Sequence, residues 1–184
     1  MYLPKGSKTR LYETKRASFE EAVLPHLDAA YNLARWMTRN EADADDVVQE
    51  AFLRAFRFYG GFHGLNCRAW LLTIVRNTCC TWLQANLGGG PTVTFDEEMH
   101  STEAQSTSPD AALLANADRG ILQQAIEVLP VEFREVIVLR ELEGATYKEI
   151  AEIAGIPMGT VMSRLARARG RLQQYLARRL GKES

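Results

Sequence analysis

Apolar residues recur along most of this chain at intervals of three or four positions, the spacing that places them on one face of an α-helix. Alternating apolar and polar residues, which are typical of strands, are nearly absent. The pattern therefore predicts an all-α protein. Helical periodicity is interrupted by one long stretch near the middle of the chain, which predicts two small helical domains joined by a flexible acidic linker.

The N-terminal block of helical pattern spans residues 18–87 and contains three predicted helices. Ser18 and Glu21 form a candidate capping box at the start of the first helix. The second and third helices are predicted at about 43–59 and about 68–87, with a glycine-rich loop between them.

A linker is predicted at 88–110, where most residues are Gly, Pro, Ser, Thr or acids. Such a composition does not bury enough apolar surface to fold alone, so we expect an extended and mobile segment. The C-terminal block follows at 111–184. In this block Gly144 is expected to end one helix, and Thr146 with Glu149 forms a candidate capping box for the next.

The last predicted helix begins near Met158 and separates an apolar face from a cationic one. Its apolar arc consists of Val161, Leu165, Ala168, Leu172 and Leu176. Its polar arc consists of Thr160, Arg164, Arg167, Arg171 and Arg178. A short helix and a turn with Gly155 precede it, which is the plan of a helix-turn-helix whose second helix enters the major groove of DNA. The alternative is a solvated surface helix whose arginines keep the protein soluble.

Charge is distributed unevenly, although the formal net charge is only -1. Residues 88–118 hold six acids and no Lys or Arg, 160–184 holds seven basic residues and one acid, and a basic extension, 1–17, opens the chain. Blocks of opposite charge indicate surfaces with different partners, and the basic one suits phosphate. No apolar run approaches the roughly 18 residues that span a bilayer, and no secretory signal is recognisable. We therefore expect a cytoplasmic protein without membrane insertion.

The second predicted helix carries a leucine on its polar side. Leu53 lies opposite the core face of the helical wheel, and its neighbours there include Asp46, Gln49 and Glu50. A leucine ringed by polar groups is either a harmless exposed residue or the apolar anchor of a protein interface. The wheel leaves both interpretations open.

The third predicted helix is apolar almost all round, with one polar strip that contains Arg76 and Asn77. A loop with Phe62 and His63 precedes this helix. Amides hydrogen-bond base edges and aromatic rings stack on bases, so the strip and the loop suit an unstacked nucleic-acid base. The alternative is that the aromatic residues belong to the core and the strip is solvated.

Three cysteines, Cys67, Cys79 and Cys80, make an odd number that suits reduced thiols better than a disulfide framework. A further alternative is an enzyme or a metal protein that uses these cysteines together with His63. Cys79 and Cys80 point about 100° apart on a helix, so they do not readily join one tetrahedral site. No pair of nucleophile and general base is recognisable, and we expect no metal, no cofactor and no catalytic residue.

Both blocks resemble parts of one protein family, the extracytoplasmic-function sigma factors of bacterial RNA polymerase. The segments "DADDVVQEAFLRAFRFYGGF" and "RAWLLTIVRNTCCTWL" resemble region 2 of that family. The segment "LPVEFREVIVLRELEGATYKEIAEIAGIPMGTVMSRLARARGRL" resembles region 4. The resemblance runs from about Phe19 to Leu176 and implies region 2 at 18–87 and region 4 at 111–184. It implies a transcription initiation factor that directs core RNA polymerase to -10 and -35 promoter elements, under the control of an anti-sigma factor.

The resemblance also implies roles for single residues. Region 2 docks on the clamp helices of the largest polymerase subunit, and the matching positions are Asp46, Gln49, Glu50 and Leu53. Region 2 also melts and reads the -10 element, with matching positions Phe62, His63, Asn66, Arg76 and Asn77. Region 4 contacts the flap of the second-largest subunit and reads the -35 element, with matching positions Thr160, Ser163, Arg164, Ala166, Arg167 and Arg171.

The chain departs from the family pattern at Met162, where many relatives carry a basic residue. Two other classes of protein, a DNA-binding regulator and a pure interaction protein, remain as alternatives. An ordinary helix-turn-helix regulator has no need of an upstream block with a docking face. A sigma mimic, which sequesters an anti-sigma factor, can lose its DNA-reading residues, whereas Asn77, Arg164 and Arg167 are present here.

Overall fold

The structure is a computed structural model that describes residues 5–64, 66–86 and 119–180. Within these ranges every regular element is helical, in agreement with the prediction of an all-α fold. The helices before the linker are α1 (Lys5–Val23), α2 (Leu27–Thr38), α3 (Glu41–Phe58) and α4 (Cys67–Asn86). The helices after it are α5 (Arg119–Glu127), α6 (Val131–Ile137), α7 (Tyr147–Ala154) and α8 (Met158–Leu180). The predicted linker, 88–110, lies outside the described residues.

Short irregular turns connect several of these helices. A 3-10 turn, Leu24–His26, separates α1 from α2 and contains Pro25, whose ring cannot continue an α-helix. A π-helical turn, Val138–Leu142, extends α6. Gly144 then takes a positive φ of 65°, which favours glycine and ends the helix as predicted.

The two candidate capping boxes have opposite outcomes. At the start of α7 the Thr146 hydroxyl accepts the Glu149 N–H at 3.2 Å, and the Glu149 carboxylate accepts the Thr146 N–H at 2.8 Å. The box predicted at Ser18 and Glu21 is wrong, because α1 begins upstream at Lys5 and runs through both residues. The N–H groups after Ser18 therefore lie inside a helix and need no cap.

The N-terminal domain packs α2, α3 and α4 around a common core. Of the predicted core face of α3, Val47, Val48, Ala51 and Ala55 are buried, whereas Phe52 and Phe56 are half-buried. Leu53 lies on the opposite side of α3 and is 64% exposed. The helix therefore offers its polar side, with one leucine, to solvent.

The C-terminal domain packs α5, α6 and α7 against the long helix α8. The apolar arc predicted for α8 is buried, since none of its five residues is more than 4% exposed. Gly155, at φ 67°, makes the turn between α7 and α8. The turn and the two helices form the predicted helix-turn-helix, with the cationic side of α8 facing outward.

The described parts of the two domains also pack against each other. Helix α2 lies against α6, and α4 lies against α7. The polar strip of α4 is consequently next to the C-terminal domain, an arrangement that the sequence did not predict.

Candidate functional site

The first candidate surface is the polar side of α3. Asn40 caps this helix by accepting the Asp43 N–H at 3.2 Å, which fixes where its first turn begins. The four predicted docking residues are all exposed, and their spacing of three or four places them on one face. These residues are Asp46, Gln49, Glu50 and Leu53.

An apolar groove of about 360 Å³ lies beside Leu53. The groove is lined by Phe19, Gln49, Phe52, Leu53 and Phe56. Phe19 comes from α1 and meets the ring of Phe56 edge-on, with 5.2 Å between the ring centroids. Phe19 is not among the predicted site residues, and its signal in the sequence is that it lies one helical turn before the buried Val23.

Charged groups of both signs lie near this groove, including Lys15, whose Nζ is 5.1 Å from the centroid of the Phe56 ring. Asp46 and Glu50 are exposed, and Glu50 is joined to Arg54 by a 2.7 Å ion pair. An apolar centre with a polar, solvent-accessible rim is the usual anatomy of a protein interface. The surface therefore suits a partner that offers an apolar side chain surrounded by polar groups.

The second candidate surface begins at the loop before α4. The Phe62 ring packs on Trp70, with 4.6 Å between centroids, and His63 is exposed. A Cβ on Gly64 would lie 2.8 Å from the Phe62 ring, so glycine permits this close approach. The Asn66 side chain accepts the Ala69 N–H at 2.9 Å and caps α4.

The strip on α4 is neither freely solvated nor open. Arg76 donates from Nε to a Glu135 carboxylate oxygen of α6 at 2.7 Å, and from Nη1 to the Asn77 side chain at 3.3 Å. Glu135 is only 3% exposed. Its burial raises the pKa of the carboxyl group, and the charge and hydrogen bond of Arg76 oppose that rise. Asn77 itself remains exposed.

The third candidate surface is the cationic side of α8. Of the predicted reading residues, Ser163, Ala166, Arg167 and Arg171 are exposed, whereas Thr160 and Arg164 are half-buried. The Arg171 guanidinium lies 4.9 Å from the Phe133 ring centroid, a cation–π contact that orients it.

Other residues of α8 modify this surface. Arg169 forms a 2.7 Å ion pair with Glu141. Both residues belong to the C-terminal domain, so the charge of Arg169 is engaged within that domain. Met158 and Met162 are 51% and 48% exposed and lie one turn apart on the same face of the helix. The surface thus combines cations with two exposed apolar side chains.

The cysteines lie in the N-terminal domain. Burial raises the pKa of Cys79 to about 12, and it also raises the pKa values of the half-buried Cys67 and Cys80. Within the described ranges, no three His, Cys, Asp or Glu side chains come together as a metal ion would require. None of the helices in the same ranges is long and apolar enough to cross a membrane.

Comparison with known families assigns both domains. Residues 22–86 match Sigma-70 region 2, and residues 119–172 match Sigma-70 region 4. The chain belongs to the ECF sigma factors of the sigma-70 family. This family consists of regulatory transcription factors rather than enzymes.

Three curated relatives illustrate this membership. The "ECF RNA polymerase sigma factor SigE" of Mycolicibacterium smegmatis is 33% identical over 88% of this chain, which spans 62% of that relative's length. The "ECF RNA polymerase sigma-E factor" of Escherichia coli is 40% identical over 69% of this chain and 70% of its own length. The "RNA polymerase sigma-H factor" of Pseudomonas aeruginosa is 31% identical over 91% of this chain and 90% of its own length.

Two solved structures share the two-domain fold. The sigma factor RpoE in complex with the anti-sigma factor NepR, from Bartonella quintana, has a TM-score of 0.64 and 28% identity, and the match covers 86% of this chain and 96% of that chain. CnrH in complex with the cytosolic domain of CnrY has a TM-score of 0.62 and 25% identity, and the match covers 91% and 93% of the two chains.

Proposed function

We propose that the protein binds core RNA polymerase and directs it to promoters with -10 and -35 elements. Residues 18–87 act as region 2, residues 88–110 as the linker, and residues 111–184 as region 4. The observation that carries the proposal is that one chain matches both region 2 and region 4, with an exposed leucine on the polar side of α3 and exposed arginines on α8. The proposed activity is exerted on the chromosome, in the cytoplasm.

Docking on the clamp helices of the largest polymerase subunit is proposed for the polar side of α3. Leu53 is exposed beside an apolar groove, so a partner side chain can bury both the leucine and the groove. Interface energy concentrates in such central apolar anchors. Asp46, Gln49 and Glu50 surround Leu53 and supply polar contacts and charge.

Reading of the -10 element is proposed for α4 and the loop before it. The exposed amide of Asn77 has the donors and acceptor needed to bind the edge of an unstacked base. Phe62 and His63 border the same helix, and Asn66 and Arg76 offer further hydrogen-bond donors. These donors are engaged by the C-terminal domain in the present structure, so -10 reading requires that domain to move away.

Reading of the -35 element is proposed for the outward side of α8, whose N-terminal end would enter the major groove. Ser163 and Ala166 are small and exposed, which lets the helix approach base edges closely. Arg164, Arg167 and Arg171 supply charge for guanine edges or phosphates, and Thr160 lies at the start of the same face. Contact with the flap of the second-largest subunit is proposed for the same domain.

Regulation by an anti-sigma factor is part of the proposal. Two structures with this fold contain a bound protein, named in one case as the anti-sigma factor NepR. A partner that covers the α3 face would compete with polymerase for Leu53. The inhibitor is therefore expected to present apolar residues to that leucine.

Gel-shift titrations with and without core polymerase test the proposed function. Two weakly binding domains gain effective concentration when both are held on one polymerase, so the free protein should bind promoter DNA poorly and the holoenzyme tightly. Tight and sequence-specific binding by the free protein, unchanged by core polymerase, would instead favour the ordinary regulator.

A further inference from the structure

Buried charged groups contribute to the contact between the two domains. Arg134 and Glu135 are consecutive residues of α6, and each is only 3% exposed. Both reach across to the N-terminal domain: Arg134 donates to the Trp36 carbonyl at 2.9 Å, and Glu135 accepts from Arg76 at 2.7 Å. Separation of the domains would break both of these bonds and leave their polar groups open to water.

Two more carboxylates of the C-terminal domain bind near the start of α4. Glu149 accepts the Asn66 amide N–H at 2.8 Å. Glu143 accepts from Arg68 at 3.0 Å, and the Glu143 side chain is 7% exposed. Three carboxylates of the C-terminal domain therefore accept hydrogen bonds from side chains on α4 or directly before it.

These contacts use the donors proposed for promoter recognition. Asn66 and Arg76 are both among the proposed -10 residues, and their donating groups now face carboxylate oxygens. A carboxylate and a nucleic-acid phosphate or base carbonyl both offer anionic or polar oxygen acceptors, so they compete for the same N–H groups. The C-terminal domain thus engages the donors that the proposed function assigns to a melted DNA strand.

Glu135 also lies near the proposed -35 surface of its own domain. The charge of Arg164 opposes the burial that raises the pKa of the Glu135 carboxyl group. Arg164 and Glu135 belong to the same domain, so separation of the domains would release Arg76 from Glu135 but not Arg164.

The interface is also built so that it can separate. It includes ion pairs between Arg68 and Glu143 and between Arg76 and Glu135, and hydrogen bonds from arginine side chains to the Trp36 and Leu129 carbonyls. Polar interfaces of this kind are typical of domains that move. Among the described residues, the Nε of Arg134 is buried without a hydrogen-bond acceptor. A buried donor without a partner costs free energy, which weakens the closed arrangement.

We propose that the free protein is self-inhibited, with Glu135, Glu143 and Glu149 of the C-terminal domain holding Asn66, Arg68 and Arg76 until the domains separate. This inference rests on the proposed function, because it identifies the held residues with -10 recognition. Polymerase or promoter DNA binds only the separated form and shifts the population toward it. The apparent affinity of the free protein for the -10 strand is reduced by the fraction of molecules that are open.

A double variant, Glu135→Gln with Glu143→Gln, tests the proposal in the full-length chain. Glutamine keeps the size of the side chain and removes the charge that Arg76 and Arg68 require. Glu141→Gln is the matched control, because Glu141 forms a 2.7 Å ion pair with Arg169 inside the C-terminal domain. Circular dichroism checks that each variant is folded, and Arg68→Gln breaks the Glu143 contact from the other side if the double variant is not.

Two measurements are compared across these proteins. Small-angle X-ray scattering should show a larger radius of gyration for the double variant than for wild type and Glu141→Gln. Anisotropy titration with a fluorescein-labelled single strand, carrying the -10 element mapped with core polymerase, should show binding about tenfold tighter if the closed form predominates about ten to one.

The outcomes are distinguishable. An unchanged radius of gyration in the folded double variant and in Arg68→Gln would overturn the proposed hold between the domains. Opening without tighter strand binding would overturn the inhibition, because the carboxylates would then not compete with DNA. Failure of the wild-type protein to start transcription with core polymerase would refute the proposed function, and scattering would still report whether the domains are closed.

Discussion

Replacement of Leu53 by aspartate is expected to abolish the association with core polymerase while the protein stays folded. Full burial of a leucine side chain contributes about 1.5–3 kcal/mol. Because 64% of this leucine is still exposed, roughly that share, or about 1–2 kcal/mol, remains to be gained on docking. Leu53→Ala should therefore weaken binding by about 5- to 30-fold.

Aspartate should do more damage than alanine. It places a carboxylate in the same apolar contact, next to Glu50, and an unpaired buried charge costs about 2–5 kcal/mol more. The combined loss corresponds to more than about 100-fold in Kd. Because the side chain makes little contact inside the free protein, the free energy of unfolding should change by less than about 0.5 kcal/mol.

The assay is a competition titration in which each variant displaces labelled wild-type protein from core polymerase. Leu24→Asp is the matched control, since Leu24 is 52% exposed in the same domain but is not one of the residues lining the groove. Binding by Leu53→Asp within about threefold of wild type, with normal helix content, would refute the assignment of Leu53 as the anchor.

Three further predictions concern other parts of the chain. Arg167→Ala should weaken -35 binding by about 1–3 kcal/mol if the side chain contacts a base, and holoenzyme titrations on promoter variants measure this. Thr146→Ala should reduce stability by about 1 kcal/mol through loss of the α7 cap, as measured by urea unfolding. The backbone N–H of Thr146, which alanine keeps, and the Thr146 hydroxyl, which alanine removes, both donate to Glu149 and lower the pKa of its carboxyl group. The part of the deficit that comes from the hydroxyl bond should be full above the ordinary pKa of 4.5 and should shrink as pH falls through the lowered value. Cys79, with a pKa of about 12, should react with iodoacetamide at pH 8 far more slowly than it does in the unfolded chain.

Each of these predictions has a contrary result. An unchanged -35 preference would remove Arg167 from the reading set. A stability deficit in Thr146→Ala that grew in acid would contradict the hydrogen bonds assigned to Glu149. Equal labelling of Cys79 in folded and unfolded protein would show that it is not enclosed by the N-terminal core.

Features that depend on a single helix could be predicted from the sequence. The buried arc of α8 follows from periodicity alone, since Val161, Leu165 and the residues that continue their spacing lie on one side. The exposure of Leu53 follows in the same way from its place on the wheel. The roles of docking and reading residues came instead from the resemblance to a family, and they remain predictions.

Features that depend on distant partners could not be predicted. Glu135 and Arg76 lie 59 residues apart in sequence, and Glu143 and Arg68 lie 75 apart, so no local pattern pairs them. For the polar strip of α4, the sequence suggested either binding of an unstacked base or simple exposure to solvent. In the structure Arg76 of this strip instead contacts the C-terminal domain. Ser18 illustrates the opposite error, because a local capping signal was overridden by a helix that begins at Lys5.

The central claim is that this chain confers promoter recognition on core RNA polymerase. In vitro transcription with purified core polymerase and a library of genomic fragments, with start sites read by sequencing, tests it most directly. If the protein confers promoter recognition, start sites should appear only when it is added, and they should share -10 and -35 elements at fixed spacing. The same start sites should disappear with Leu53→Asp. Start sites that are the same with and without the protein would contradict it.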